Sequence, residues 1–322
     1  MKFSNQRRML AGIACCAGLV WMQPAASQTY PDRPIKLVIG SSAGASVDFV
    51  ARTYSEFLAT QLGQPVVVEN RPGANSEIGH TYAARAKPDG YTILLYGNNS
   101  LLVQLAGRSK LSILDDFAAI STAGRAPWAL SVAAASPFKT IQEVVEYGRK
   151  EPGRLSYASI GGGIPEYMAR MLSEQGKIDL LAVPYASTSD AKSDVLTQRV
   201  SLWFTALSSA APLHAASQVR ILGVSGESPP DHLKNVVTMR QAGFEALGAE
   251  STYYFLAPAE TPAAIVDRLN KAINRAQDDP AVVAKLKTQG VSTYKGSADD
   301  TTRAIKAELA KWGRVIRPAP AN

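Results

Sequence analysis

Along the chain, short apolar runs alternate with longer stretches in which apolar residues recur at helical spacing. The runs predict strands at Ile35–Ile39, Val66–Glu69, Thr92–Leu95, Leu130–Ala133, Leu155–Ser159, Leu180–Val183, Val200–Phe204 and Arg220–Val224. Between the first two, Val47, Val50, Ala51, Tyr54, Leu58 and Leu62 share one helix face, and Gly63 follows as a stop signal. Thr140 with Glu143 reads as a capping box. Thr261-Pro262 and Asp279-Pro280 each place a capping residue before a proline at the first helical position. Ser297 opens a last helix through Ile305, Leu309 and Trp312, and the tail from Pro318 to Asn322 is expected to fray. Strand–helix alternation of this kind predicts an α/β fold with right-handed crossovers and mostly parallel sheets.

In such sheets, ligands bind beyond the carboxyl ends of strands. Three loops there are small and hydroxyl-rich: Gly40 to Ser46, Ser159 to Gly163, and Pro184 to Ser189. Each leads into a helix, whose first N–H groups and partial positive charge suit a carboxylate or phosphate. Gly and Ser also serve as ordinary turn and capping residues, and both readings stand at this point. Asp48 lies in the first turn after the first loop, where it would complement the helix dipole, hold the loop or meet a cation. Asn98, Asn99 and Ser100 follow a strand and are either a polar turn or hydrogen-bonding groups for a ligand.

Composition changes the picture at the N-terminus. The chain has 322 residues, 46% hydrophobic and 19% charged, an ordinary globular balance of about two domains. Lys2, Arg7 and Arg8 precede an apolar run of about 14 residues, then Gln23-Pro24 and the small residues Ala25, Ala26 and Ser27. That is the layout of a cleaved secretory signal peptide over 1–27, since a bilayer-spanning helix needs about 20 apolar residues. Both cysteines, Cys15 and Cys16, fall inside it. The segment holds three basic and no acidic residues, so the formal +7 falls to +4 beyond it. The exported body is therefore expected to be soluble and to lack disulfides, thiolate metal sites and a cysteine nucleophile.

Motifs for catalysis are missing. Gly223-Val224-Ser225-Gly226 lacks the spacing of a nucleophile elbow. Gly161-Gly162-Gly163 is not a dinucleotide-binding fingerprint, and no phosphate-binding Walker loop or HExxH zinc motif occurs. His80, His214 and His232 are far apart and read as surface or helix-face residues, so no metal and no cofactor is expected. Asp115-Asp116 and Asp299-Asp300 read as caps or solvated charge. Basic residues are scattered, which argues against nucleic acid.

An ordered series of motifs carries a family resemblance. It includes Tyr30-Pro31-Asp32-Arg33-Pro34, Leu62-Gly63-Gln64-Pro65-Val66-Val67-Val68-Glu69-Asn70-Arg71-Pro72-Gly73-Ala74, Lys87-Pro88-Asp89-Gly90-Tyr91-Thr92, Val183-Pro184-Tyr185 and Leu256-Ala257-Pro258-Ala259-Glu260-Thr261-Pro262. Through them the chain resembles the substrate-binding proteins of tripartite tricarboxylate transporters, the TctC or Bug type of periplasmic solute receptor. The resemblance implies a two-lobed, type II-like flytrap of two mostly parallel sheets flanked by helices and joined by two crossover strands. It implies one domain from 28–124 plus 250–322 and a second from 125–249. It further implies a monomeric receptor without enzymatic activity that captures a small carboxylate (mono-, di- or aromatic) through loop N–H groups, hydroxyls and waters, then delivers it to a membrane permease. Carried over by position, the ligand-binding residues are Ser41, Ser42, Ala43, Ser46, Asp48, Asn98, Asn99, Ser100, Ser159, Gly161, Gly162, Tyr185, Ala186, Ser187, Thr205 and Tyr254.

Two departures matter. The family's first loop usually reads Pro-Pro-Gly-Gly-Gly-Thr, where this chain has Ser41-Ser42-Ala43-Gly44-Ala45-Ser46. The third loop usually carries Lys-Gly after Pro-Tyr, where Ala186-Ser187 stands here. Loss of that cation leads us to expect a ligand of lower negative charge, a monocarboxylate or an aromatic acid. A sensor receptor of the same fold, told apart by a neighbouring permease gene, and a secreted α/β hydrolase, told apart by ester turnover, are the competing readings.

Overall fold

A computed structural model describes residues 30–159, 163–185, 188–226, 229, 233–314 and 316. The expected signal peptide and fraying tail lie outside the described residues, as do Gly161, Gly162, Ala186, Ser187 and His232 of the loops and motifs singled out above.

The first lobe is built on strands β1 (Ile35–Ile39), β2 (Val66–Asn70) and β3 (Thr92–Gly97), with β1 parallel to both neighbours. The near-continuous apolar runs of β1 and β3 suit strands covered on both faces, whereas β2 lies at the sheet edge with Val67 exposed. On one face lie α1 (Ser46–Leu62), α8 (Ala263–Ala276) and α9 (Pro280–Lys287), packed through Val50, Tyr54, Leu58, Leu269 and Ile273. On the other lie α2 (Glu77–Ala84), α3 (Asn99–Leu105) and α10 (Ala298–Gly313), with Leu101, Leu102, Ile305 and Trp312 in the core.

Strand β4 (Phe117–Ala133) is 17 residues long and belongs to both lobes. Its first part pairs antiparallel with β9 (Glu250–Pro258), which in turn pairs antiparallel with β3. Its last part pairs antiparallel with β7 (Trp203–Ala206) and β8 (Val219–Val224) in the second lobe. There β5 (Leu155–Ser159) and β6 (Leu180–Pro184) run parallel. Hydrogen bonds from Ala158 N to Leu202 O and from Leu202 N to Ser156 O set β5 beside the start of β7. Helices α4 (Ile141–Lys150), α5 (Ile164–Gly176), α6 (Thr188–Leu196) and α7 (Leu207–Ala215) flank these strands. Among the described strands three pairs are parallel and four antiparallel, so the sheets are mixed where mostly parallel ones were expected: every antiparallel pair involves β4 or β9, the two strands that carry the chain between lobes.

Most start signals hold in the structure. Asp279 accepts from Ala281 N and Val282 N, and Ser297 and Asp300 close a reciprocal capping box. Thr140 accepts from Glu143 N, but the Glu143 carboxylate turns to Lys139 N instead of closing the box. Thr261 is a correction: its hydroxyl donates to Pro258 O at 2.7 Å, and Pro262, not Thr261, occupies the capping position before Ala263. The tight turn after β9 holds that hydroxyl, so it cannot reach the helix N–H groups.

Candidate functional site

The carboxyl ends of β1 and β3 in one lobe face β7 and the start of α5 in the other. Between them lies a cavity of about 760 Å³. Ser41, Ser42, Ala43, Ser46, Asn98, Asn99, Ser100 and Thr205 all line it, so eight of the residues expected at the site are brought together. Among the described residues no Lys, Arg, Asp or Glu lines this cavity.

The first loop is held from behind. Asp48 Oδ2 accepts from Gly44 N at 2.9 Å, while its carboxylate also takes the Arg52 guanidinium and the Asn70 amide. Asn70 Nδ2 further donates to Ser41 O at 3.1 Å. Burial of Asp48 pushes its carboxyl up, but the hydrogen bonds from Arg52, Gly44 and Asn70 outweigh that and hold it below the usual aspartate range. Asp48 therefore serves the site as the anchor of its loop, not as part of the cavity wall. Asn70 in the Glu69-Asn70-Arg71 motif shares that task, though nothing in its spacing pointed to it.

Asn98 is buried, and its side-chain nitrogen donates to Glu250 O at 2.9 Å and to the Glu308 carboxylate. Thr252 Oγ1 donates to the same carboxylate at 2.9 Å. Burial raises the Glu308 pKa against the lowering effect of these two donors. Asn99 reaches across the cleft: its Oδ1 accepts from Ile164 N at 3.0 Å, at the start of α5. A Cβ on Gly163 would stand 2.2 Å from that oxygen. Gly163→Ala should push the Asn99 amide aside and lose this bond between the lobes, at a cost of about 0.5–1.5 kcal/mol. Chemical denaturation of the unliganded chain checks this, and unchanged stability would mean that the bond contributes nothing in solution.

Three further expected residues stand elsewhere. Tyr254 is a correction: it is fully buried in the core cluster shared with Trp312 and Tyr167, with no exposed ring in the cleft. Side chains alternate along β9, so its neighbour Tyr253 faces the cavity instead. Ser159 Oγ donates to Glu166 Oε1 at 2.7 Å, and Tyr185 donates its hydroxyl to Asp194 at 2.7 Å. Neither is among the described lining residues, and burial followed by the Asp194 contact pushes the Tyr185 hydroxyl up to about 12. These two support their loops from inside the second lobe.

The cavity also holds residues that the sequence did not mark. His80, read as a surface or helix-face residue, is instead buried on α2 with its ring 4.6 Å from that of Tyr96, and it lines the cavity. Burial drops its pKa to about 4, so the imidazole is neutral at physiological pH. Trp128 on β4, Ser251 and Tyr253 on β9 line the wall where the chain crosses between lobes. Ser41 Oγ, Thr205 Oγ1 and Tyr253 Oη are buried without a hydrogen-bond partner. Burial raises the Tyr253 pKa, with Ser46 and Ser251 near enough to oppose the rise without forming well-aligned bonds. Buried hydroxyls left unpaired are costly and mark where a polar ligand group or a water belongs. Helices α1, α5 and α7 meet the cavity at their N-termini, and the capping residues of α1 and α7 supply no side-chain bond. The wall thus offers neutral donors and helix ends, suited to a small anion.

The chain's residues 50–319 match the family described as tripartite tricarboxylate transporter family receptor. The chain belongs to that family. A protein of the tcbD–tcbE intergenic region in Pseudomonas sp. (strain P51) is 34% identical over 97% of this chain and 94% of its own length. The Rhodopseudomonas palustris protein Rpa4515, solved with adipate, superposes with a TM-score of 0.82 at 26% identity, covering 89% of this chain and 97% of that one. MatC from the same organism, solved with bound malate, gives 0.79 at 25% identity over 89% and 100%. The receptor resemblance read from the motifs is therefore correct, as is the α/β flytrap fold.

Proposed function

We propose that this receptor captures a small carboxylate in the cavity between its lobes and hands it to a membrane permease of the tripartite tricarboxylate type. The observation that carries the reading is the cavity itself: both lobes contribute to it, and three of the residues that line it, Ser41, Thr205 and Tyr253, carry buried hydroxyls without a hydrogen-bond partner. The binding of malate and adipate by two relatives supports a carboxylate as the ligand. Because no cation lines the wall among the described residues, the ligand is one of low negative charge, held by hydroxyls, amides and helix ends. The lobes divide at 124/125 and 249/250, where β4 and β9 cross, and the chain works as a monomer in the periplasm after losing residues 1–27. Among the described residues no helix is long and apolar enough to cross a membrane. No chemical step is assigned to the site. His80, held neutral by burial, packs its ring against Tyr96.

A thermal-shift screen with mono-, di- and tricarboxylates tests this reading. Ligand at a hundredfold excess over Kd should add about 2.7 kcal/mol of stability. A flat response to every carboxylate would overturn it, and tight binding of a tricarboxylate alone would overturn the low-charge ligand.

A further inference from the structure

Trp128 is the aromatic feature of the cavity wall that the reading above leaves without a task. It is half-buried on β4 at the crossing between lobes, whereas Trp203 and Trp312 are buried in the core. Its indole N–H donates to Ser251 Oγ at 2.8 Å. Ser251 lies on β9 opposite Ala126, so the bond runs diagonally across two paired strands and fixes the ring on the hinge ribbon. With its one polar atom occupied, the ring can offer a ligand only its π surface. Its cross-strand neighbour is Ala206, which lines the same cavity together with Ser209, and both are too small to cover the ring. The indole packs partly against the hydrophobic core, and the part left in the cavity is apolar surface in water, a cost that a flat ligand group would remove.

We propose that Trp128 determines specificity by stacking on the ring of an arylcarboxylate, whose carboxylate takes the helix N-termini and polar groups of the wall. This rests on the carboxylate-receptor reading and names the ligand class within it. The volume, about 760 Å³, lies in the range filled by drug-sized molecules, so a ring and its carboxylate fit without displacing the wall.

The test is titration calorimetry on the full chain with benzoate, phenylacetate, their cyclohexane counterparts and adipate. The cyclohexane acids keep the carboxylate and ring size but lack the π face. The aryl acids should bind up to about tenfold more tightly than those counterparts. Trp128→Ala should erase that preference, costing the aryl acids more affinity than it costs adipate, and Trp128→Phe should keep most of it. Where Trp128→Ala fails to fold, the emission difference between the parent and Trp128→Phe isolates this indole, and it should change on saturation with benzoate. Equal affinity for aryl and cyclohexyl acids, an equal loss for every acid in Trp128→Ala, or an unaltered difference spectrum would overturn the proposal. If adipate binds and the aryl acids do not, Trp128 stacking fails while the carboxylate receptor stands. Binding of no acid at all overturns both.

Discussion

Gly79→Ala should destabilise the chain and loosen the ligand site, although helix propensity alone predicts the opposite. Gly79 lies inside α2, where alanine is favoured over glycine by about 1 kcal/mol. A Cβ there would meet Gly40 Cα at 2.8 Å and Arg71 O at 2.9 Å. These are backbone atoms at the ends of β1 and β2, so no side chain can swing away to relieve the contact. The helix must move instead, at a cost of about 1–3 kcal/mol for forced overpacking. We therefore expect a net loss of up to about 2 kcal/mol once the propensity gain is subtracted. His80 follows Gly79 on the helix and Ser41 follows Gly40 in the loop, so ligand affinity should fall as well. Urea unfolding and carboxylate titration measure the two effects. A stability gain of about 1 kcal/mol would show that α2 and the loop do not touch in solution.

Asp48→Ala should have the second large effect, because one carboxylate holds Gly44, Arg52 and Asn70 together. Hydrogen bonds to a charged group contribute about 1.5–3 kcal/mol each, but they are not additive, and Arg52 is half exposed. A total loss of about 2–3 kcal/mol is expected. Affinity should fall by roughly tenfold, since binding must then order the Ser41–Gly44 loop. Because the folded Asp48 pKa is depressed, its stabilisation is complete above the ordinary value of about 3.9 and is lost as pH falls through the lower folded value. The stability gap between the parent and Asp48→Asn should therefore close in an acid titration below about pH 4. Unchanged ligand affinity in Asp48→Ala would return this residue to the role of a helix-dipole partner.

The parts of the fold legible in the sequence are those in which local pattern and tertiary role agree. The apolar runs of β1, β5 and β8 mark buried strands, and the cap residues Asp279 and Ser297 act within one turn of themselves. Strand β4 was legible only over Leu130–Ala133. Its first half, Phe-Ala-Ala-Ile-Ser-Thr-Ala-Gly, is built from small residues, and Pro127 lies inside the strand. Its long-range pairing with β9 overrides weak local propensity. Strand β9 is buried along nearly its whole length, so it shows no alternation from which to assign faces. That is why the sequence points to Tyr254 and the structure to its neighbour Tyr253: the register with β3 and β4, absent from the sequence, decides which ring faces the cleft. The loop hydroxyls were legible because three similar loops of small polar residues recur at strand-to-helix turns, although each alone also suits an ordinary turn. His80 was not, since its role depends on α2 lying close against the first loop.

The paired course of β4 and β9 limits how the molecule can move. The chain leaves the first lobe along one strand and returns along the other, and the two are hydrogen-bonded over Phe117–Pro127. They form a two-ply ribbon instead of two separate tethers. Register shifts after Ala119 and Thr122 interrupt the ladder on the first lobe's side, and another lies between Leu130 and Ser131 beside β8. Such irregularities concentrate twist and bending. Sliding one lobe past the other would break the ladder between them, whereas bending the ribbon preserves it. The lobes thus share a single soft coordinate, with Trp128 and Ser251 riding on the ribbon itself.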